Sequence, residues 1–265
     1  MRIGIFLFVW ACMSAQSAQS AQPAQAANGQ NAADPRRSGL SFMLPATQAL
    51  QNDDSQNPAM LWRQEGQQLW QRREGGLAKS CADCHGQPVT MRGVASRFPA
   101  FDAGLGRPVN LAQSINLCRE RRQKSAPLAL ESNELLALEV LLAAQSRGMP
   151  ITPPSDARLT AFRERGQERF IQRIGQLNLS CAQCHDTNAG RHLASSVIPQ
   201  GHATGYPIYR LEWQAVGSLQ RRLRNCMAGV RAELPAYGAI ELTELELYLA
   251  SRAAGMLLEA PGVRP

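Results

Sequence analysis

Four cysteines and two of the four histidines fall into two copies of one pattern, Cys81-Ala-Asp-Cys84-His85 and Cys181-Ala-Gln-Cys184-His185. Two thiols three positions apart can each bond a vinyl group of one haem, and the histidine that follows sets an imidazole on the iron. A bare C-x-x-C also serves redox disulfides and half of a zinc site. The histidine directly after the second cysteine, in both copies, favours c-type haem. Two covalently bound haems are therefore expected, on Cys81 and Cys84 and on Cys181 and Cys184, with His85 and His185 as axial ligands.

Each iron then needs a ligand on its other face, and the chain offers two matched pairs. Met149 and Met256 would raise the reduction potential, whereas thiolates from Cys118 and Cys226 would lower it. A third arrangement joins Cys118 to Cys226 in a disulfide, but each cysteine holds the same place in its own repeat and so belongs in a separate pocket. The methionines each follow a glycine at a helix end, where packing is the commoner role, so thiolate ligation is preferred. His192 and His202 have no counterpart in the first half and read as exposed loop residues.

Cys226 lies in "LQRRLRNCMAGVRAE", residues 219 to 233, among Arg221, Arg222, Arg224 and Arg231. Arg222 stands four residues before it, on the same face of a helix. A guanidinium there can lower a thiol pKa and grip a tetrahedral oxyanion through two parallel hydrogen bonds, or it can simply offset thiolate and propionate charge. The matching position before Cys118 is Ser114. That asymmetry points to the second half as the place of chemistry.

The positioning elements repeat as well. Residues 64 to 85, "QEGQQLWQRREGGLAKSCADCH", align without a gap on 164 to 185, "ERGQERFIQRIGQLNLSCAQCH"; "LEVLLAAQSRGM" (138 to 149) aligns on "LELYLASRAAGM" (245 to 256). The offset grows from 100 to 108 at Cys118 and Cys226, so about eight residues enter the second half around "AGRHLASSVIPQGHATGYPIY". The chain is a tandem duplication. Apolar residues at helical spacing predict helices over 58–74, 131–146, 158–173 and 241–253, with N-terminal signals at Ser132 and at Thr243 followed by Glu246. No alternation of strand type persists. The reading is all-α, two tandem cytochrome c-type domains, over 56–150 and 151–265, with the proline-rich stretch 148–160 as linker.

The first residues carry one arginine, an apolar run from Ile3 to Cys12 and A-x-A patterns near Ala26, which reads as a cleaved signal peptide over 1–27, followed by an extension over 28–55. The run is about half of the ~20 residues a membrane span needs. A periplasmic protein without a span is expected. Only Lys79 and Lys124 among the 28 basic residues are lysine, and the net charge is +7. An arginine-rich exported protein suits anionic partners and not nucleic acid.

The stretches "SGLSFMLPATQALQNDDSQNPAMLWRQEGQQLW", "SCADCHG", "FPAFDAGLGRPVNLAQSINLCRERRQ", "QSRGMPI" and above all "RLRNCMAGVRAE" make the chain similar to the dihaem SoxA family, catalytic subunits of SoxAX cytochrome complexes in bacterial sulfur oxidation. The resemblance implies axial pairs His85/Cys118 and His185/Cys226, and Cys226 carried as a persulfide. It implies an L-cysteine S-thiosulfotransferase that joins thiosulfate oxidatively to a cysteine of the SoxYZ carrier. Arg222 would bind thiosulfate, and electrons would pass through haem to the monohaem partner SoxX and a soluble cytochrome c. Ser114 departs from the arginine that many relatives carry there. Two other readings remain: a dihaem thiosulfate dehydrogenase that makes tetrathionate without a carrier, and a plain electron-transfer dihaem cytochrome c.

Overall fold

Apolar residues every third or fourth position build a little under half of the described chain into helices, joined by turns and short strands. The computed structural model describes residues 34–265 together with Met1. In chain order the helices are α1 (Pro45–Asn52), α2 (Met60–Gln71), α3 (Ala82–His85), α4 (Leu111–Cys118), α5 (Asn133–Ala144), α6 (Thr160–Ile171), α7 (Leu219–Gly229) and α8 (Ile240–Arg252). The trio α2, α4, α5 of the first half recurs as α6, α7, α8 of the second. The four helices expected from periodicity are all present, shorter by one to three residues at most ends. Ser132 caps α5, its hydroxyl accepting from the Leu135 N–H at 3.3 Å. Thr243 is not a cap: α8 starts after Ala239, and Thr243 is buried in its second turn.

The all-α expectation is corrected by seven short strands among the described residues. These are β1 (Ala100–Asp102), β2 (Arg107–Val109), β3 (His192–Leu193), β4 (Ser196–Val197), β5 (Ile208–Arg210), β6 (Ala215–Gly217) and β7 (Gly262–Arg264). The β1–β2 hairpin recurs as β5–β6 at the 108-residue offset, antiparallel in both copies. The β3–β4 hairpin is the insertion of the second half. β7 pairs parallel with β5 and has no counterpart in the first copy. None exceeds three residues, too few for alternation to register in the sequence.

Residues 34–265 belong to one compact unit, and each copy is organised around one close helix crossing. Gly66 of α2 lies against the Ala137 carbonyl of α5, and Gly166 of α6 against the Glu244 carbonyl of α8; a Cβ on either glycine would run into that oxygen. The crossings bury Leu135, Leu136, Leu141 and Trp70 in one copy, Leu242, Leu245 and Phe170 in the other. Gly166→Ala should therefore cost about 3 kcal/mol of stability, an overpacking penalty against rigid backbone, read as a fall in the denaturation midpoint. An unchanged midpoint would remove the crossing as the organising contact.

The two copies are also joined to each other. The linker runs free of helix as far as Asp156, in keeping with its prolines, before a helical turn at Ala157–Leu159 leads into α6. Its first residues pair with the equivalent residues of the second copy: Ile151 N–H donates to Met256 O at 2.8 Å and Leu258 N–H to Met149 O at 2.9 Å. α1 packs on β7, where Gln51 Oε1 accepts from Val263 N–H at 2.9 Å. Asn57 Nδ2 donates to Pro261 O at 3.1 Å. The signal segment expected over 1–27 lies outside the described residues, Met1 aside. Among the described residues no helix is long and apolar enough to cross a membrane.

Candidate functional site: two cysteine–histidine cradles

In each copy the C-x-x-C-H motif follows a hairpin turn, Glu74 bridging Lys79 in one and Ile174 bridging Leu179 in the other. Ser80 and Ser180 fix the start of each motif. The Ser80 hydroxyl accepts from Asp83 N–H at 3.1 Å, and the Ser180 hydroxyl from Gln183 N–H at 3.2 Å. Apolar side chains then line a matched floor. Trp70, Leu141, Leu142, Leu111 and Ile115 pack beside Cys81; Phe170, Leu245, Leu249, Leu219 and Leu223 pack beside Cys181.

All six cysteines of the described chain are free thiols, so Cys118 and Cys226 are not joined. Cys118 ends α4 and faces Cys81 and Cys84 of its own copy. Cys226 sits in the last turns of α7 and faces Cys181 and His185. The two cysteines thus lie in separate cradles, each against the motif of its own copy. Met256 is a packing residue, 7 % exposed among Ala143, Ile151, Ala253 and Leu258. Met149, at the start of the linker, lies against Gly93.

The second cradle is the more finished of the two. His185 Nδ1 donates to the Pro199 carbonyl at 2.8 Å, which fixes the tautomer and leaves Nε2 as the nitrogen that would ligate a metal, and the ring lies within hydrogen-bond reach of the Cys226 thiol. Pro199 belongs to the inserted loop. The loop histidines differ from their expected exposure: His192 is exposed on β3, but His202 is half-buried beside Arg36 and Arg252. Its burial, with those two charges, pulls its pKa down to about 4.

Electrostatics separate the two distal thiols. Burial raises Cys118, Cys84 adds to the rise, and Arg122 only partly offsets it. Burial also opposes ionisation of Cys226, yet His185, Arg222 and Arg210 outweigh it and hold that thiol below its ordinary 9.0. Arg222 and Cys226 share the 11-residue helix α7, capped by Ser218, one turn apart. Their neighbours are committed elsewhere. Arg221 stacks on Trp213 at 4.3 Å, and Arg224 stacks on Tyr237 at 4.4 Å while donating to the Pro235 carbonyl. Among the described residues the Arg222 guanidinium has no hydrogen-bond or ion-pair partner, and it is half-buried.

Sequence reading missed Arg210 and Tyr206. Arg210 ends β5, its Nε donating to the Pro265 oxygen at 2.7 Å and its Nη2 paired with Glu212 at 2.7 Å. The signal was available: at the 108-residue offset Arg210 replaces Asp102, a reversal of charge between the copies. Tyr206 likewise replaces Phe98, and burial raises its phenol.

The residues fit a haem in each cradle: paired thiols beside an apolar floor, a histidine after them, a cysteine facing the motif, and in the second copy a carbonyl already orienting the histidine ring. Fold and cradles define a cytochrome of c type, whose haem is attached covalently. The family described as SoxA/TsdA, cytochrome c domain, matches residues 65–151 and 165–258. The L-cysteine S-thiosulfotransferase subunit SoxA of Pseudaminobacter salicylatoxidans is 35% identical over 233 residues, covering 87% of this chain and 82% of that one. The subunit of the same name from Rhodovulum sulfidophilum is 36% identical over 232 residues, 87% and 81% of the two chains. The crystal structure of SoxXA from P. pantotrophus superposes with a TM-score of 0.83 at 33% identity, covering 87% of each chain. The chain belongs to the SoxA/TsdA cytochrome c family.

Proposed function

We propose that this chain is an L-cysteine S-thiosulfotransferase subunit, joining thiosulfate oxidatively to a cysteine of a SoxYZ-type sulfur carrier. The observation that carries the reading is the unpartnered Arg222 guanidinium one turn before Cys226, on an α7 whose other arginines are spoken for. The overall change is carrier-SH plus thiosulfate dianion to carrier-S-S-sulfonate monoanion, one proton and two electrons. Arg222 binds the sulfonate oxygens through parallel hydrogen bonds and sets the outer sulfur toward Cys226. Cys226, as a persulfide, forms the transient sulfur–sulfur link and passes the group to the carrier thiol. Arg210 adds positive charge where two anionic groups meet.

Two haems are proposed, held by Cys81 and Cys84 with His85 and Cys118, and by Cys181 and Cys184 with His185 and Cys226. Haem supplies one-electron acceptance, at a potential that thiolate ligation lowers. A SoxX-type monohaem subunit and a soluble cytochrome c then carry the electrons away. We place the mature protein in the periplasm, with 1–27 removed, and read 56–150 and 151–265 as the two haem domains. The deciding experiment mixes the purified complex, thiosulfate, the carrier and oxidised cytochrome c, then weighs the carrier by mass spectrometry. A mass gain of one thiosulfonate group on the carrier is expected. Tetrathionate with an unmodified carrier would replace this reading by the dehydrogenase one, and no thiosulfate consumption would leave a plain electron carrier.

A further inference from the structure

A cavity of about 110 Å³ lies where the two copies meet, and equivalent residues of both copies line it. Asn110 and Ser218 are the caps of α4 and α7, Leu111 and Leu219 the first residues of those helices, and Glu139 and Glu246 the matched glutamates of α5 and α8. Leu111 also packs in the cluster beside Cys81, and Leu219 in the cluster beside Cys181. The cavity is therefore one side chain from each cradle. It has room for several waters.

The duplication leaves its two glutamates unlike each other. Glu246 is 6 % exposed and accepts from Asn110 Nδ2 at 2.9 Å and from Gln220 Nε2 at 3.3 Å. The residues that would do this for Glu139 are Ser218 and Ala112. The Ser218 hydroxyl accepts from the Arg221 N–H in capping α7 and is hydrogen-bonded to Glu131, and alanine donates nothing. Glu139 is 8 % exposed, and no hydrogen bond reaches its carboxyl group from the described residues. A carboxylate buried without a donor costs several kcal/mol, which raises its affinity for a proton. Burial pushes Glu139 well above the carboxylate range, and Glu131 and Glu246 push the same way. The charged groups facing it are those two acids; Tyr206 lines the same cavity, and no basic side chain does.

We propose that Glu139 and the cavity it faces form a proton-binding site between the two copies, loaded when an electron reaches the neighbouring haem and unloaded when it leaves. The ligand is a proton carried by cavity water. An electron entering a buried centre adds one negative charge at low dielectric, where an uncompensated charge is expensive. The Glu139 carboxylate then takes one proton from water, giving a neutral acid; when the electron passes to the acceptor the carboxylate returns and the proton goes back to water. One electron and one proton move together, and no further oxidant is needed. The inference rests on the haem assignment and not on the identity of the sulfur substrate.

The test uses the holoprotein in its complex, without thiosulfate or carrier. Redox-difference infrared spectra should show the carbonyl stretch of a protonated carboxylic acid that appears on reduction and shifts in D2O, and Glu139→Gln should remove it. Reduction potentials should fall with rising pH, approaching a tenfold change in electron affinity per unit, about 59 mV, and Glu139→Gln should flatten that slope. Absence of any redox-sensitive carboxylic acid band in the wild type overturns the proposal by itself, whether or not the variant folds. So does a band that survives Glu139→Gln, or one lost only in Glu246→Gln.

Discussion

Cys226→Ser should lower thiosulfate transfer on the order of 10³-fold or more, with haem still attached at both motifs. A serine hydroxyl neither carries a second sulfur atom nor ionises near neutral pH, so removing this sulfur removes the bond-forming atom and not merely a contact. The control is Cys118→Ser. It should change the absorption spectrum of the first cradle and leave the rate within about tenfold, because that thiol is raised by burial and Cys84, and Ser114 stands one turn before it. Both rates would come from the same coupled assay with cytochrome c reduction. Equal losses in the two variants would end the assignment of the second copy as the catalytic one.

Arg222→Ala should reduce kcat/KM by about 10²-fold, equivalent to ~2.7 kcal/mol of lost transition-state stabilisation. The size follows from what is removed: a half-buried guanidinium with no internal partner, poised one turn from the thiol it holds down. Arg222→Lys keeps the charge but not the planar fork, and should recover only part of the loss. Charge compensation alone would make lysine a full replacement. A plain electron carrier would instead show unchanged turnover of its redox partners in both variants, with small shifts in potential.

The tandem copies, the four main helices and the facing of Cys226 and Arg222 were all legible in the sequence, because each rests on spacing along one helix or on register between copies. Elements shorter than one period were not. β5 and β7 have three residues each, yet they place Arg210 and Tyr206 near Cys226 from a part of the chain with no motif. Thr243 followed by Glu246 imitated a capping box, but both side chains turn into the core, and Glu246 is held there by Asn110 from the other copy. That partner is 136 residues away, and no local pattern announces it. Met256 looked like a candidate ligand by repeat position, and its side chain went to the interrepeat core.

The clasp between α1 and β7 sets the order in which this protein can be completed. Gln51 meets Val263 across 212 residues of chain, so the outer layer of the structure closes only after the last strand has emerged from synthesis. The first motif does not wait on that closure, since Cys84 is exposed and Cys81 half-buried in the finished fold.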